Sequence, residues 1–329
     1  MSQVIMGPRP WPLWRHPAFR TAPREWAVVS CFFNPAGYRR PVLNLGAFLD
    51  WSYAERLPLY MAELTFHDAR PVLPPDSARV IHFQAGNEGI MFQKEALLNA
   101  VVRALPAEVR FIVFMDADVV LEQGRAALEM TAHQLECGWT VVQPFHEAVW
   151  LDAAGRDGAA KMSTAAAYLV PRADLALVTD TTLYHPGFAY GMTRETWEQI
   201  GGLYGCPITG SGDAALLQAM VGPYLPDPGQ GKSHHSAPAP RRWRAAVEAV
   251  AKKTGGGFPV THVNGRIRHF YHGSMQRREY GSRHRLLAAF RPERDLELGP
   301  GGLPIWSGKE NPGLRAAVAV YFSERREDD

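Results

Sequence analysis

The sequence has few cysteines, no long apolar run and almost no excess charge. Its three cysteines, Cys31, Cys137 and Cys206, are odd in number and far apart, which argues against a disulfide scaffold or a thiolate zinc site and fits a reducing compartment. No apolar run approaches the roughly 18 residues that a membrane-spanning helix needs. Pro and Arg interrupt the first residues where a signal peptide would be apolar, so we expect a cytoplasmic protein. With a net charge of +2, any attraction to polyanions must come from local clusters.

The length of 329 residues and the hydrophobic content of 46% allow the chain to bury a large core. We expect an irregular arm at 1–24, a main domain at 25–294 and a tail at 295–329. Within the main domain, the segment 224–262 is rich in Pro and Gly and carries six Lys or Arg against two acids, which indicates a basic insertion.

Apolar patterning in the first 120 residues predicts strands and helices in the order β-α-β-β-α-β, and therefore an α/β fold with a mostly parallel sheet. The predicted elements are strands at Trp26–Phe33, Leu59–Phe66, Val80–Phe83 and Phe111–Met115, and helices at Leu43–Tyr53 and between Phe92 and Leu105. Beyond them we predict helices at Ala126–Cys137, Arg194–Ile200, from Asp213 or Ala214 to Val221, and at Arg241–Lys253, and a strand at Thr140–Pro144.

Two acidic residues, Asp116 and Asp118, follow the continuous apolar run Phe111–Met115. Such a run is typical of a strand buried on both faces, and ligands bind at the carboxyl ends of strands in open α/β sheets. Side chains two apart can reach one divalent cation and the phosphates that it carries. In isolation, however, the simpler interpretation makes Asp116 a helix cap and Asp118 a solvated side chain.

A third carboxylate stands in the stretch Gly210-Ser211-Gly212-Asp213, at the start of a predicted helix. The helix dipole favours an ionised Asp213 there, and a capping role is the simpler interpretation. A carboxylate within hydrogen-bond reach can also accept the proton of an attacking hydroxyl group.

The segment Arg266–Leu287 contains two histidines three residues apart, His269 and His272, followed by several arginines. A neutral imidazole can complete a metal shell begun by carboxylates, and arginines such as Arg277 and Arg278 suit a diphosphate. The alternative places His269 in the core or at a cap and the arginines on a solvated helix face.

Taken together and in order, these motifs resemble a nucleotide-sugar-dependent glycosyltransferase of the GT-A fold, family-2-like and close to soluble enzymes encoded by bacteriophages. The resemblance covers roughly residues 25–290 and implies a Rossmann-like GT-A sheet flanked by helices, with a smaller subregion on the acceptor side. The implied nucleotide-sugar half is 25–122 and the acceptor half is 123–294. A phage enzyme would act in the host cytoplasm.

The resemblance also implies roles for single residues. Asp118 and His272 would bind Mn²⁺ or Mg²⁺, with Asp116 contacting either the metal through water or the donor ribose. Asp213 would be the catalytic base of an inverting transfer. The family's usual second acid is Gly212 here, which leaves open whether another carboxylate assists. The implied contacts to the nucleotide-diphosphate sugar, with a UDP-sugar expected, are Phe33, Asn34, Glu63, Lys94, Asn99, Asp116, Arg277 and Arg278.

The acceptor is the part on which the sequence says least. Tyr190 and Trp197 could stack on a sugar or a base. Arg241, Arg242 and Arg244 flank a tryptophan, and basic residues mixed with aromatics suit a nucleic-acid backbone. Together with the phage-type resemblance this points to a hydroxymethylated pyrimidine in double-stranded DNA, which would have to be flipped out of the duplex.

Other acceptors and another class stay open at this point. A saccharide, a lipid-linked sugar or a protein could accept the sugar. A nucleotidyltransferase or a degenerate nucleotide-binding module is the alternative of a different class, although FNPAGYRR is a poor phosphate loop. Nothing in the sequence indicates an obligate protein partner or a membrane span.

Overall fold

The main feature of the computed structural model is a seven-stranded sheet, and the residues that the structure describes are 13, 16–20, 24–170, 183–221, 241–253, 259–274, 285–287 and 290–329. Its strands, in spatial order, are β10, β6, β9, β4, β1, β2 and β3. Only β9 runs antiparallel to its neighbours β4 and β6. The bounds of all the strands are Trp26–Phe33 (β1), Leu59–Phe66 (β2), Val80–Ala85 (β3), Phe111–Met115 (β4), Val119–Leu121 (β5), Val141–Gln143 (β6), Glu147–Leu151 (β7), Asp157–Met162 (β8), Ala189–Thr193 (β9), Val260–His262 (β10), Arg266–His269 (β11), Leu296–Leu298 (β12) and Pro304–Trp306 (β13).

Helices flank this sheet, as the α/β prediction required. Their bounds are Arg39–Ala54 (α1), Lys94–Ala104 (α2), Arg125–Glu136 (α3), Thr164–Tyr168 (α4), Arg194–Gln199 (α5), Gly212–Val221 (α6), Arg241–Lys252 (α7), Pro292–Asp295 (α8) and Pro312–Glu324 (α9). Among the described residues, short 3-10 turns lie at Pro17–Arg20, Asn87–Gly89 and Pro300–Gly302. The Thr193 side chain caps α5 by accepting the amide of Thr196, as a helix start with Thr at this position predicts.

The central strands are apolar throughout because both faces of the sheet are covered. In β1, Ala27 and Val29 belong to one core, whereas Trp26 and Val28 belong to the core on the opposite face. The same alternation holds in β4, where all five residues are buried. Because successive side chains of a strand point to opposite faces of the sheet, one run of apolar residues contributes to both cores.

A smaller four-stranded sheet, in the order β5, β11, β7 and β8, continues directly from the end of β4. In β11, Ile267 and His269 are buried, while the side chains of Arg266 and Arg268 pair with acids on the neighbouring strands and turns. This sheet is the smaller subregion beside the main one. The ion pairs of Arg266 and Arg268 hold β11 in place on one face of this sheet. His269 lies on the opposite face, near the end of β4.

Sequence patterning predicted the secondary structure of the first 120 residues closely and that of the rest less well. The predicted strands β1, β2 and β4 have the predicted bounds, and β3 extends two residues further than predicted. Sequence patterning predicted neither β5 nor any strand from β7 to β13, which are short or partly polar. Of the basic insertion at 224–262, the predicted helix is present as α7, while 222–240 and 254–258 lie outside the described residues.

The segment 295–329, expected to be a tail, packs on the domain instead. Helix α9 buries Leu314, Val318, Tyr321 and Phe322 in the same core as β1 and β4. These residues recur at helical spacing, which is typical of a helix packed on a core. The structure therefore replaces the expected tail with a packed helix. At the other end, Ala18 and Phe19 of the expected arm are buried in the core on the opposite face. No helix among the described ranges is long and apolar enough to cross a membrane.

Two valines of α9 test whether this segment is part of the folded core. Val318 is fully buried, whereas Val320 is half exposed on the same helix. We expect Val318→Ala to lower the free energy of unfolding by about 1–3 kcal/mol through lost burial and a residual cavity. Val320→Ala is the matched control and should change it by less than about 0.5 kcal/mol. Urea unfolding measures both, and equal effects would contradict the packing of α9.

Candidate functional site

One carboxylate and two imidazoles converge at the end of β4. The Oδ2 atom of Asp118 lies 3.0 Å from Nε2 of His272 and 3.4 Å from Nε2 of His269, and the two Nε2 atoms are 3.0 Å apart. All three potential ligand atoms lie within 4.8 Å of one another, and both histidines are buried. Among the described residues, this is the group of His, Cys, Asp and Glu side chains with the geometry of a metal site.

Strand pairing explains how distant residues meet here. Strand β11 is antiparallel to β5 with His269 opposite Val119, so His269 lies beside the residue that precedes Val119, namely Asp118. The amide of Phe270 donates to the carbonyl oxygen of Asp118 at 2.8 Å and fixes this register. His272 follows three residues later, just before Gly273, whose positive φ of 85° turns the chain.

An aromatic ring supports the first of these histidines. Phe188 stacks on His269 with ring centroids 4.6 Å apart and an interplanar angle of 13°. Its backbone has a φ of 70°, which is rare for a bulky residue, and its carbonyl oxygen accepts the amide of Asp116. The strained conformation is held because both the ring and the carbonyl group are engaged, as is common near functional sites.

A second group forms around Lys94 at the start of α2. Its Nζ atom lies 2.9 Å from Oδ1 of Asp116 and 3.4 Å from Oδ2 of Asp213. The lysine therefore links the first acid of the Asp pair to the acid that starts α6. The carboxylate of Asp116 pairs with Lys94 and is not part of the three-residue cluster, so the predicted contact of Asp116 with the metal or the donor stays a prediction.

The position of Asp213 depends on a glycine across the site. A Cβ atom at Gly187 would lie 2.0 Å from Oδ2 of Asp213, so a side chain there would displace the carboxylate. On the other side, Oδ1 of Asp213 lies 2.7 Å from the backbone nitrogen of Ala214, in the first turn of α6. The amide of Ala214 and the ammonium group of Lys94 therefore both contact this carboxylate and favour its charged form.

The structure adds a buried acid that sequence reasoning missed. Glu95 is 1% exposed, and neither carboxylate oxygen has a hydrogen-bond partner among the described residues. A Cβ atom at Gly212 would lie 2.3 Å from its Oε1, so the glycine before Asp213 is what makes room for Glu95. Nearby, the hydroxyl group of Tyr190 is also buried without a partner in the described part of the chain. Buried polar atoms of this kind are costly and concentrate at functional sites.

The two acids of the pair differ in their electrostatics. Burial alone would raise the pKa of Asp118, but His269 and His272 outweigh burial and hold that pKa well below its usual value. Burial raises the pKa of Asp116 to about 6, although Lys94 opposes the shift. Burial also raises the pKa of Glu95 to about 7 and lowers that of His185 to about 3. The site therefore holds one firm anion at Asp118 and two acids, Asp116 and Glu95, with a pKa near neutrality.

Two predicted donor contacts, Glu63 and Asn99, and one predicted acceptor residue, Trp197, make hydrogen bonds within the protein. Both oxygens of Glu63 accept backbone amides, those of Val72 and Leu73, at 2.7 and 3.0 Å. Asn99 accepts from the indole of Trp197 at 2.9 Å and exchanges two further hydrogen bonds with the backbone of Leu203. Glu63 thus holds a loop, while Asn99 and the predicted acceptor residue Trp197 bind each other. The sequence pattern identified these residues as conspicuous, but it could not show that the protein itself uses their polar atoms.

The remaining predicted residues are distributed around the site. Phe33 packs edge-on against Phe92 at 5.3 Å, and the Asn34 side chain closes its own loop through the backbone of Tyr38. On α7, Arg241 and Arg242 are exposed, whereas Arg244 pairs with Glu248 at 3.1 Å. Arg277 and Arg278 lie outside the described residues.

Comparisons with known proteins give fold-level likenesses only. No family model matches the chain, and no curated protein does. One similar solved structure is glucosyl-3-phosphoglycerate synthase from Mycobacterium tuberculosis with Mg²⁺ and UDP, at 15% identity and a TM-score of 0.36, covering 86% of this chain and 83% of that one. The same enzyme with Mn²⁺, UDP and phosphoglyceric acid is 15% identical with a TM-score of 0.34, covering 86% of this chain and 82% of that one. Mannose-1-phosphate geranyltransferase from Thermus thermophilus matches at 15% identity and 0.34 over 74% and 75%. Likenesses of this size fix neither the activity nor the ligands of this chain.

The burial of Glu95 gives a pH-dependent stability. With a pKa of about 7 in the folded chain against 4.5 normally, the folded state binds more protons between these values, so this carboxylate costs stability as pH rises through the window. We expect Glu95→Gln to raise the free energy of unfolding by about 3 kcal/mol at pH 8 and by little at pH 4. Denaturant unfolding at both pH values measures it, with exposed Glu136→Gln as control. An equal change at both pH values would show that charge burial is not the cause.

Proposed function

We propose that the protein is a metal-dependent inverting glycosyltransferase that moves a sugar from a nucleotide-diphosphate donor to an acceptor hydroxyl group. The observation that carries the proposal is the division of the site into two linked parts. Asp118, His269 and His272 form a cluster suited to a cation, and Asp213 stands apart from it, connected through Lys94 and Asp116. A transfer from a diphosphate ester requires this pairing of a cation site with a separate proton acceptor.

The residues at the end of β4 fit a divalent cation. Besides its two histidine contacts, Asp118 has a buried Oδ1 atom without a hydrogen-bond partner in the described ranges, which a cation could use. The carboxylates of Glu95, Asp116 and Asp213 lie around one lysine, and Asp118 adds a fourth acid beside the histidines, so acids outnumber the lysine at the site. Two imidazole nitrogens suit Mn²⁺ better than Mg²⁺, which prefers oxygen ligands. Bound there, the cation would neutralise the charge of the leaving nucleoside diphosphate.

The chemistry of this chain's own residues follows from that arrangement. The acceptor oxygen bonds to the anomeric carbon as the bond from that carbon to the diphosphate oxygen breaks, and Asp213 takes the hydroxyl proton. Lys94 keeps Asp213 ionised and orients Asp116 toward the donor. A direct displacement of this kind inverts the anomeric configuration. On the proposed donor side, Phe33 is the last residue of β1, Asn34 follows it, and Lys94 is the first residue of α2. Ligands of parallel sheets bind at the carboxyl ends of the strands.

For the acceptor, the finer proposal is a hydroxymethylated pyrimidine in DNA. It is supported by the exposed Arg241 and Arg242 on α7, a helix that Trp243 anchors by donating to the carbonyl oxygen of Gly202. Against it, Arg266 and Arg268 are neutralised by acids and so do not contribute to a basic surface. A saccharide acceptor is the alternative.

Three free thiols fit a reducing compartment, and we place the enzyme in the cytoplasm.

Two isosteric substitutions separate the metal site from the base. We expect Asp213→Asn to keep donor binding but to lose transfer by about 10²–10⁴-fold, because the proton acceptor is gone. Asp118→Asn should lose metal-dependent donor binding altogether. Thermal shifts with a panel of nucleotide sugars and Mn²⁺, followed by transfer assays, measure both, with exposed Asp152→Asn as the control. If no nucleotide sugar stabilises the wild type in the presence of Mn²⁺, the glycosyltransferase proposal is wrong.

The acceptor proposal has its own test. Duplex oligonucleotides containing 5-hydroxymethylcytosine or 5-hydroxymethyluracil are incubated with several donors and Mn²⁺, and the nucleosides are analysed by mass spectrometry. We expect a sugar on the modified base, and a steeper loss with salt for the wild type than for Arg241→Ala/Arg242→Ala, since each lost phosphate contact reduces the salt slope by about 1. Arg156→Ala, an exposed arginine on another surface, is the control. Transfer to a free saccharide but to no DNA would exclude this acceptor.

A further inference from the structure

We propose that Glu327 is a positioning residue of the metal site, which it reaches from the segment that follows α9. Its Oε1 atom lies 3.2 Å from Nδ1 of His272, and both side chains are only 8% exposed. The proposal rests on the metal-dependent function argued above and extends the site by a residue 55 positions away in the chain.

The two nitrogens of His272 face different partners. Nε2 lies 3.0 Å from Asp118, inside the cluster, while Nδ1 faces Glu327. Because a carboxylate only accepts hydrogen bonds, Glu327 favours a proton on Nδ1, and a cation bound beside Asp118 would use the lone pair of Nε2. Histidines that bind metals are commonly held in this way by a carboxylate on the second nitrogen, which fixes both tautomer and ring orientation.

The carboxylate of Glu327 is itself held in place. Arg325 approaches its Oε1 atom at 2.5 Å. The turn at Gly273 lets the two segments touch, because a Cβ atom there would lie 3.0 Å from the carbonyl oxygen of Arg326 and 3.2 Å from Cα of Glu327. The approach to His272 is therefore built into the backbone on both sides.

The same segment is tied to the loop after β1. The hydroxyl group of Tyr38 donates to the carbonyl oxygen of Ser323 at 2.5 Å and accepts the amide of Arg326 at 2.9 Å. The carboxylate of Asp328 accepts the backbone amides of Arg39 and Arg40, the first two residues of α1, at 3.0 and 2.6 Å. Asp328 thus caps α1 from a distant segment, while its neighbour Glu327 faces the metal cluster.

This arrangement separates two roles that lie one residue apart in the chain. Asp328 supports folding by capping α1, whereas Glu327 acts on His272. A purely structural segment would lose metal affinity with either substitution, but a positioning role predicts that only Glu327 controls it. The exposed Glu324 on α9 supplies a matched control with the same chemistry.

The experiment titrates the full chain, without nucleotide, with Mn²⁺ and follows the free ion by electron paramagnetic resonance. We expect Glu327→Gln to bind Mn²⁺ about 10–100-fold more weakly. Asp328→Asn should lower the Tm of the metal-free protein and leave Mn²⁺ affinity unchanged, and Glu324→Gln should change neither. In addition, nitrogen-15 NMR of the metal-free wild type should show His272 protonated on Nδ1.

The outcomes distinguish this inference from the proposed function. Three outcomes would each overturn the positioning role while leaving the transferase proposal standing: unchanged Mn²⁺ affinity in Glu327→Gln, equal losses in Glu327→Gln and Asp328→Asn, or a His272 whose Nδ1 carries no proton. A wild type that binds no Mn²⁺ would overturn both. The NMR result needs no variant, so it decides the point even if Glu327→Gln fails to fold.

Discussion

The site depends on the pairing of one partly buried carboxylate, that of Asp118, just beyond the end of a fully apolar strand. A buried charge is unfavourable unless it is paired, and here two imidazoles are its partners. They reach it only because β11 pairs with β5 in a register that sets His269 opposite Val119. The arginines on the outer face of β11 hold that register by pairing with Glu147, Glu122 and Asp157. A salt-bridged surface thus positions the cluster of Asp118, His269 and His272.

A second consequence is that the two acids of the Asp pair have separate tasks. Asp118 contacts His269 and His272. Asp116 forms an ion pair with Lys94, which also pairs with Asp213. The lysine therefore connects the end of β4 with the start of α6. Through it, the sheet edge that would hold the donor and the helix that would hold the acceptor share one electrostatic network.

This network includes atoms that folding alone would not favour. Glu95, Tyr190 and Asp118 each bury a polar atom without a hydrogen-bond partner in the described part of the chain. Their cost is offset by the two large cores on either side of the sheet, one of which extends to α9. The segment after α9 repeats the pattern on a smaller scale, since Asp328 stabilises α1 while Glu327 faces His272.

The sequence by itself determined the α/β class and most of the strands from β1 to β4, and it predicted Asp116, Asp118, Asp213 and His272 as site residues. These follow from local apolar runs and from short polar motifs at their ends, so they are visible without tertiary contacts. Only the tertiary structure decided that His269 joins Asp118, that Lys94 links Asp116 to Asp213, and that Asn99 and Trp197 bind each other. It also brought Glu95 and Glu327 to the site, because strand register and helix packing place residues far apart in sequence within hydrogen-bond distance, and no local pattern records which partners they find.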